Sequence, residues 1–263
     1  MADPQPNLLI IVTDQQRKGS LGCYPDADAG VHRQAVHTPN LDTLAGEAVV
    51  FDRAYTTCPP CSPARASLHT GTYPFRHGMQ TNIFQRGALT HELPDGEHLL
   101  GRALQAGGYR TAFTGKWHLG YGQAAREDPY YRQNIHNIDL HLPEILLPRE
   151  YHEATSLPST RGFDLADDFP GHGGGGHHYP RFREYLESHG YSHTVHPRPG
   201  SHGTVDHAEE TIDWFLTDRT ISMIDQLRGG EAPWAMMLNY WGPHMPSYVP
   251  RDYFEPWRQM PLE

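Results

Sequence analysis

The amino-acid sequence predicts an α/β fold: a mostly parallel central sheet with helices on both faces. Three observations carry that expectation. Asn7–Thr13 (NLLIIVT) is a short apolar, β-branched run of the kind that forms a buried parallel strand. Tyr109–Thr114 and Trp234–Tyr240 repeat it, each preceded by a helix candidate, Gly96–Ala106 and Asp206–Leu227. Strands alternating with helices give a parallel sheet covered on both sides.

The remaining elements follow in order. The first run ends on Asp14-Gln15. Thr38–Val49 (TPNLDTLAGEAV) reads as a helix, with Asn40 as N-cap and Leu41 and Leu44 on its apolar side. VVFDRAYT, from Val49, is a strand candidate, and a cysteine-proline loop and a short helix over Ala64–Thr70 come next. Gly107-Gly108 stop the helix at Ala106. Residues 120–205 are rich in Pro, Gly, His and Tyr with weak periodicity, which suggests an excursion over the sheet edge with some helix near Arg181–Ser188. Asp206 reads as the cap of the helix that follows it.

A chain of 263 residues suits one large α/β domain or two small ones. The formal net charge of −10 argues against a general nucleic-acid or anionic-membrane binder, since phosphate surfaces attract clustered Lys and Arg. LLIIV is too short for a signal or membrane segment and no basic run precedes it, so the expected location is the cytoplasm. Cys23, Cys58 and Cys61 make no disulfide framework.

In parallel-sheet folds ligands collect beyond the carboxyl ends of the strands. Asp14, the Cys58–Arg65 loop, Lys116 with His118, and His244 each lie just after a strand candidate, so the fold brings them to one crevice. Asp14 is placed for a hard divalent cation. In CSPARASLHTG (61–71), Pro63 near a helix start leaves backbone N–H groups pointing back at Cys61, and an anion there is favoured by those donors and by Arg65. Cys58-Pro59-Pro60-Cys61 also reads as a CxxC, a redox pair or half a zinc site, but no second CxxC exists. In TGKWHLG (114–120), Lys116 and His118 project to one side of an extended segment, where they can hold a tetrahedral anion and move a proton. Lys116 is one of only two lysines, which singles it out. In WGPHMP (241–246), flanking prolines fix the direction of His244. His172, His177 and His178, around a run of glycines, read as a solvated loop.

CSPARASLHTG resembles the Cys-x-Pro-x-Arg signature of the type I sulfatases of the alkaline-phosphatase-like superfamily, GKWHLG resembles their second signature, and PHMP is similar to their Pro-His-x-Pro element. The resemblance implies that Cys61 becomes formylglycine through a formylglycine-generating enzyme, and that Arg65, Lys116, His118 and His244 are catalytic. The cofactor it implies is Ca2+, or another divalent cation such as Mg2+ or Mn2+, at Asp14, Gln15 and position 61. Gln15 departs from the Asp-Asp pair usual in the family. Choline sulfatases and phosphonate monoester hydrolases resemble the Asp-Gln form. The implied function is hydrolysis of a small-molecule or carbohydrate sulfate ester. Alternatives are a phosphonate monoester or phosphodiester hydrolase with the same site, or a non-catalytic relative that binds sulfated glycans. Sulfatases also continue beyond the motifs found here, so residues 1–263 are expected to be the N-terminal part of a catalytic domain, inactive alone.

Overall fold

The computed structural model describes residues 5–24, 38–83, 90, 92–120, 155–169, 179–192, 195–198 and 202–258. Its centre is a parallel sheet of four strands, β1 (Leu8–Asp14), β2 (Arg110–Gly115), β3 (Leu165–Ala166) and β6 (Trp234–Pro243), in the order β1-β6-β2-β3. A second, three-stranded sheet joins β4 (His196–Arg198), β5 (His202–Val205) and β7 (Ser247–Pro250). The mostly parallel α/β fold expected from the sequence is therefore present.

Alternation along the strands assigns the two faces. Ile10 and Val12 of β1, Phe113 of β2 and Met237 of β6 point to one side, where they pack with Ala66 of α2 (Cys61–Thr70) and beside Leu100 of α4 (Leu100–Ala106). Phe113 lies at the middle of this layer, with ring centroids 5.3 Å from Trp117 and 5.2 Å from Phe163. The opposite side of β6 and β2 is covered by α6 (Ile212–Arg228), with α5 (Pro180–Ser188) packed beside it. The buried residues Ile212, Phe215, Leu216, Thr220, Met223 and Leu227 recur at helical spacing and form one stripe, so α6 presents a single apolar face to the sheet. Helices cover both faces, as the alternating pattern required. No described helix is long and apolar enough to cross a membrane.

A buried carboxylate pins this second layer. Asp167, just beyond β3, accepts the Thr114 hydroxyl at 2.9 Å and two guanidinium N–H groups of Arg219 at 3.0 and 2.8 Å. Arg181 of α5 reaches the same carboxylate at 3.0 Å. β1 is less well covered. Leu9 and Ile11 pair with Met236 and Leu238 but lie outside the reach of α6, and they remain 49% and 55% exposed.

Four local expectations are corrected. VVFDRAYT forms no strand: Val49, Phe51 and Tyr55 are exposed and no described strand lies alongside to complete a ladder. The first helix, α1 (Pro39–Gly46), starts at Pro39 after Thr38, which leaves Asn40 inside its first turn. The cap of α6 is Thr211, whose hydroxyl accepts the Trp214 N–H at 3.2 Å. Asp206 instead follows β5 and pairs with Arg251 at 3.0 Å and His196 at 3.1 Å. The helix of the cysteine motif begins at Cys61 itself, so Pro63 sits two residues in. Helix near Arg181–Ser188 is observed as α5, whereas much of the 120–205 excursion and the histidines at 172, 177 and 178 lie outside the described residues.

Phe113→Ala removes the ring that Trp117 and Phe163 share, and is expected to lower stability by about 3–5 kcal/mol. Denaturant titration should show a lower midpoint with an unchanged slope. A loss below about 1 kcal/mol would mean that this layer is not the core.

Candidate active site

β1, β2 and β6 end at the same edge of the sheet, and the motif residues meet there. Asp14, the last residue of β1, is buried between two cations. Lys116 Nζ lies 2.7 Å from its Oδ2, and Arg65 Nη2 lies 2.9 Å from the same oxygen. Lys116 is fully buried and Arg65 nearly so. Burial alone would raise the Asp14 pKa, but the Lys116 ammonium and the Arg65 guanidinium override it and hold the carboxyl far below its ordinary range. Burial pushes the Lys116 pKa down, and the neighbouring guanidinium adds to that against the pull of Asp14.

Cys61 opens onto this ion cluster. Its Sγ lies 3.6 Å from Asp14 Oδ1 and 3.5 Å from Lys116 Nζ. Two further hydrogen bonds stitch the cysteine helix to the GKWHLG segment: Arg65 Nη1 donates to the Lys116 carbonyl at 2.7 Å, and the Ser62 hydroxyl donates to the His118 carbonyl at 2.8 Å. The helix start is not the free donor array that the position of Pro63 suggested. Asn82 Oδ1 accepts the Ser62 N–H at 2.9 Å, and Ala64 N–H already bonds Pro60. Charge for an anion at position 61 comes from the two cations.

The backbone is tightly constrained where β2 runs into Lys116. Gly115 has φ 101°, and a Cβ built there would stand 1.9 Å from the Asn239 carbonyl oxygen, so only glycine fits. The same carbonyl accepts the Lys116 N–H at 2.9 Å, which fixes where the lysine leaves the sheet. Among the described residues, two non-glycine residues adopt left-handed backbone, Gln15 with φ 60° and His118 with φ 56°. Such positions cost about 1–3 kcal/mol each and cluster at functional sites.

His244 closes the crevice from β6. Its Nδ1 donates to the Met245 carbonyl at 2.5 Å, which leaves Nε2 as the acceptor nitrogen of the neutral ring. Burial, then the nearby Lys116 charge, hold its pKa below the ordinary imidazole value. His118 is buried, and its carbonyl is tied to the cysteine helix. Gln15 is exposed beside Asp14.

Donor atoms of Asp14, Cys61 and His244 lie within 4.8 Å of one another, a grouping that can hold a metal ion. A hard divalent cation takes about six to eight oxygen ligands. The grouping offers one carboxylate, a soft thiol that an oxygen at position 61 would replace, and an imidazole; Gln15 adds an amide oxygen nearby. These donors fit part of such a shell.

Two polar groups escaped the sequence reading. Asn82 acts through a contact 20 residues away, which no local pattern reveals. Asn239 is fully buried, its two side-chain amide atoms have no hydrogen-bond partner among the described residues, and it shares its sheet face with Val12 and Gly115. A lone Asn inside the apolar run WAMMLNYW was the available signal.

The family model described as Sulfatase matches residues 6–260. The chain belongs to the sulfatase family. It is 40% identical over 126 residues to N-acetylgalactosamine-6-sulfatase of Sus scrofa, a match covering 46% of this chain and 23% of that protein. The solved structure of Ps i-CgsB in complex with k-i-k-neocarrahexaose superposes with a TM-score of 0.58 at 25% identity, covering 92% of this chain and 46% of that one. The phosphonate monoester hydrolase of Agrobacterium radiobacter gives the same TM-score of 0.58 and 25% identity, over 95% of this chain and 44% of that one. The sulfatase chain described here thus spans less than half the length of each of these relatives.

Asp14→Asn would leave Lys116 and Arg65 buried without a counter-charge, and is expected to destabilise the protein by about 3–5 kcal/mol. Folding lowers the Asp14 pKa below its ordinary value of 3.8, so its contribution is complete above that pH and is lost as the pH falls below it. Unfolding midpoints of the parent protein and the variant should therefore differ at neutral pH and converge in acid. Equal midpoints at neutral pH would contradict the clamp.

Proposed function

We propose that the complete protein hydrolyses a sulfate monoester, with the residue made from Cys61 as nucleophile. The observation that carries this reading is the convergence of Cys61, Asp14, Lys116, Arg65 and His244 at one sheet edge, in a chain of the sulfatase family.

Conversion of Cys61 to formylglycine by a formylglycine-generating enzyme would supply a hydrated aldehyde with two hydroxyls. One hydroxyl attacks sulfur in line, and the bond from sulfur to the alcohol oxygen breaks. Lys116 and Arg65 neutralise the charge gathered on the sulfate oxygens. His244 takes on Nε2 the proton that the attacking hydroxyl releases and gives it to the departing alcohol. His118 then takes the proton of the second hydroxyl, the carbon–oxygen bond to sulfate breaks, and the aldehyde is restored. Asp14, with Gln15 and an oxygen at position 61, would hold a divalent cation (Ca2+, Mg2+ or Mn2+), which supplies Lewis-acid polarisation when bound.

A second reading keeps the site and changes the ester. The structural likeness to the phosphonate monoester hydrolase of Agrobacterium radiobacter favours it. The GKWHLG segment and the 40% identity to N-acetylgalactosamine-6-sulfatase weigh toward sulfate.

Two measurements on the full-length enzyme test the proposal. Peptide mass spectrometry should find the position-61 side chain as an aldehyde or its hydrate; an unmodified thiol in active enzyme would sink the mechanism. Turnover of an aryl sulfate should exceed that of the matching aryl phosphonate, and Lys116→Ala should lower kcat by about 10²–10³-fold. The reverse substrate preference would establish the second reading.

A further inference from the structure

A hard cation at this sheet edge takes oxygen from position 61, which requires Cys61 to be converted first. The chain as translated carries a thiol there. Among the described residues, Asp14, Cys61 and His244 then offer a carboxylate, a thiol and an imidazole in one grouping. Ca2+ and Mg2+ seek oxygen alone, whereas Zn2+ binds all three donor types.

The geometry favours the same ion. Both cations that clamp Asp14 contact its Oδ2, Lys116 at 2.7 Å and Arg65 at 2.9 Å, so Oδ1 is the oxygen turned to Cys61. Oδ1 and the cysteine Sγ stand 3.6 Å apart. Zinc bonds of about 2.3 Å to sulfur and about 2.1 Å to oxygen, at the tetrahedral angle, place those two atoms about 3.6 Å apart. The His244 donor lies within 4.8 Å of both. It needs to close by no more than about 1.5 Å, within reach of a side-chain rotation, to complete a three-ligand site. His244 is oriented for that role: Nδ1 donates to the Met245 carbonyl at 2.5 Å and Nε2 keeps its lone pair, as in metal-bound histidines. Cys61 and His244 are half-buried, which gives an ion a way in to the buried carboxylate.

Charge opposes binding at first. Lys116 and Arg65 against Asp14 leave one positive charge in excess, which repels a dication. Loss of the Cys61 proton to solvent cancels that excess, with Lys116 Nζ 3.5 Å from the sulfur. A fourth position remains for water or an anion.

We propose that the unconverted chain binds Zn2+ through Cys61 Sγ, Asp14 Oδ1 and His244 Nε2, and that conversion of Cys61 abolishes this site. Binding forms the three metal–ligand bonds and releases the thiol proton to solvent; conversion removes the sulfur ligand. The same sheet edge thus selects a soft-tolerant ion before conversion and a hard one after it. The inference rests on the geometry of the unconverted site and stands whether or not the mature protein hydrolyses sulfate.

The test uses full-length protein made without a formylglycine-generating enzyme, its thiol verified by peptide mass spectrometry. Equilibrium dialysis should show Zn2+ retained against an excess of Ca2+ and Mg2+. Co2+ in place of Zn2+ should give a near-ultraviolet thiolate charge-transfer band, which metal held by histidine alone lacks. Zn2+ should also slow alkylation of Cys61 by iodoacetamide about tenfold or more. Cys61→Ser should abolish the band, and His244→Ala should weaken Zn2+ binding about tenfold or more. Cys58→Ser should leave both unchanged. The variants are compared with the parent by circular dichroism, and the band and the alkylation rate of the parent need no variant at all. Absence of the thiolate band, or alkylation that Zn2+ does not slow, would overturn the proposal. A band lost in Cys58→Ser would overturn it too, by placing the metal on the Cys58–Cys61 pair, as would Zn2+ binding unchanged in a folded His244→Ala variant.

Discussion

The site depends on one buried carboxylate held between two buried cations. Asp14 alone would be expelled from the interior or neutralised there, and so would Lys116. Together with Arg65 they tolerate burial because each charge has a partner and a hydrogen bond within 3 Å. The cluster carries one more positive than negative charge, so it welcomes an anion while keeping Asp14 ionised. Because its members come from β1, the cysteine helix and the end of β2, it also locks these three elements together. Chemistry and architecture therefore share the same bonds.

Position is delivered by backbone contacts as much as by charge. The Asn239 carbonyl receives the Lys116 amide, the Lys116 carbonyl receives Arg65, and the His118 carbonyl receives Ser62. Each bond joins segments far apart in sequence, so the cysteine helix is registered against the GKWHLG segment before any side chain meets a ligand. Gly115 permits this by letting two backbones approach within a distance that any side chain would forbid.

The parts that were legible in the sequence are those with local causes. Apolar β-branched runs marked β1, β2 and β6, and a polar group just past each run marked the crevice, because parallel strands end on the same side. Glycine and proline punctuation around Cys61, Lys116 and His244 made those residues visible. What stayed hidden depends on partners. VVFDRAYT has strand propensity, but propensity without a neighbouring ladder yields none. Asp206 and Thr211 both have cap chemistry, and tertiary packing against Arg251 and His196 decided between them. Asn82 is an unremarkable polar residue until the fold sets it against the Ser62 amide. The helix start at Cys61 was missed for a related reason: Pro63 sits inside the first turn, where its missing N–H is harmless.

The left-handed backbone at Gln15 and His118 has a consequence for how this protein would respond to selection. Glycine at either position would relax the chain and erase the side chain in the same step. A search for heat resistance alone would drift toward that exchange and would blunt the crevice as it went. These two torsions thus mark where the molecule's interest in lasting and its interest in acting diverge, and any engineered version must choose between them there.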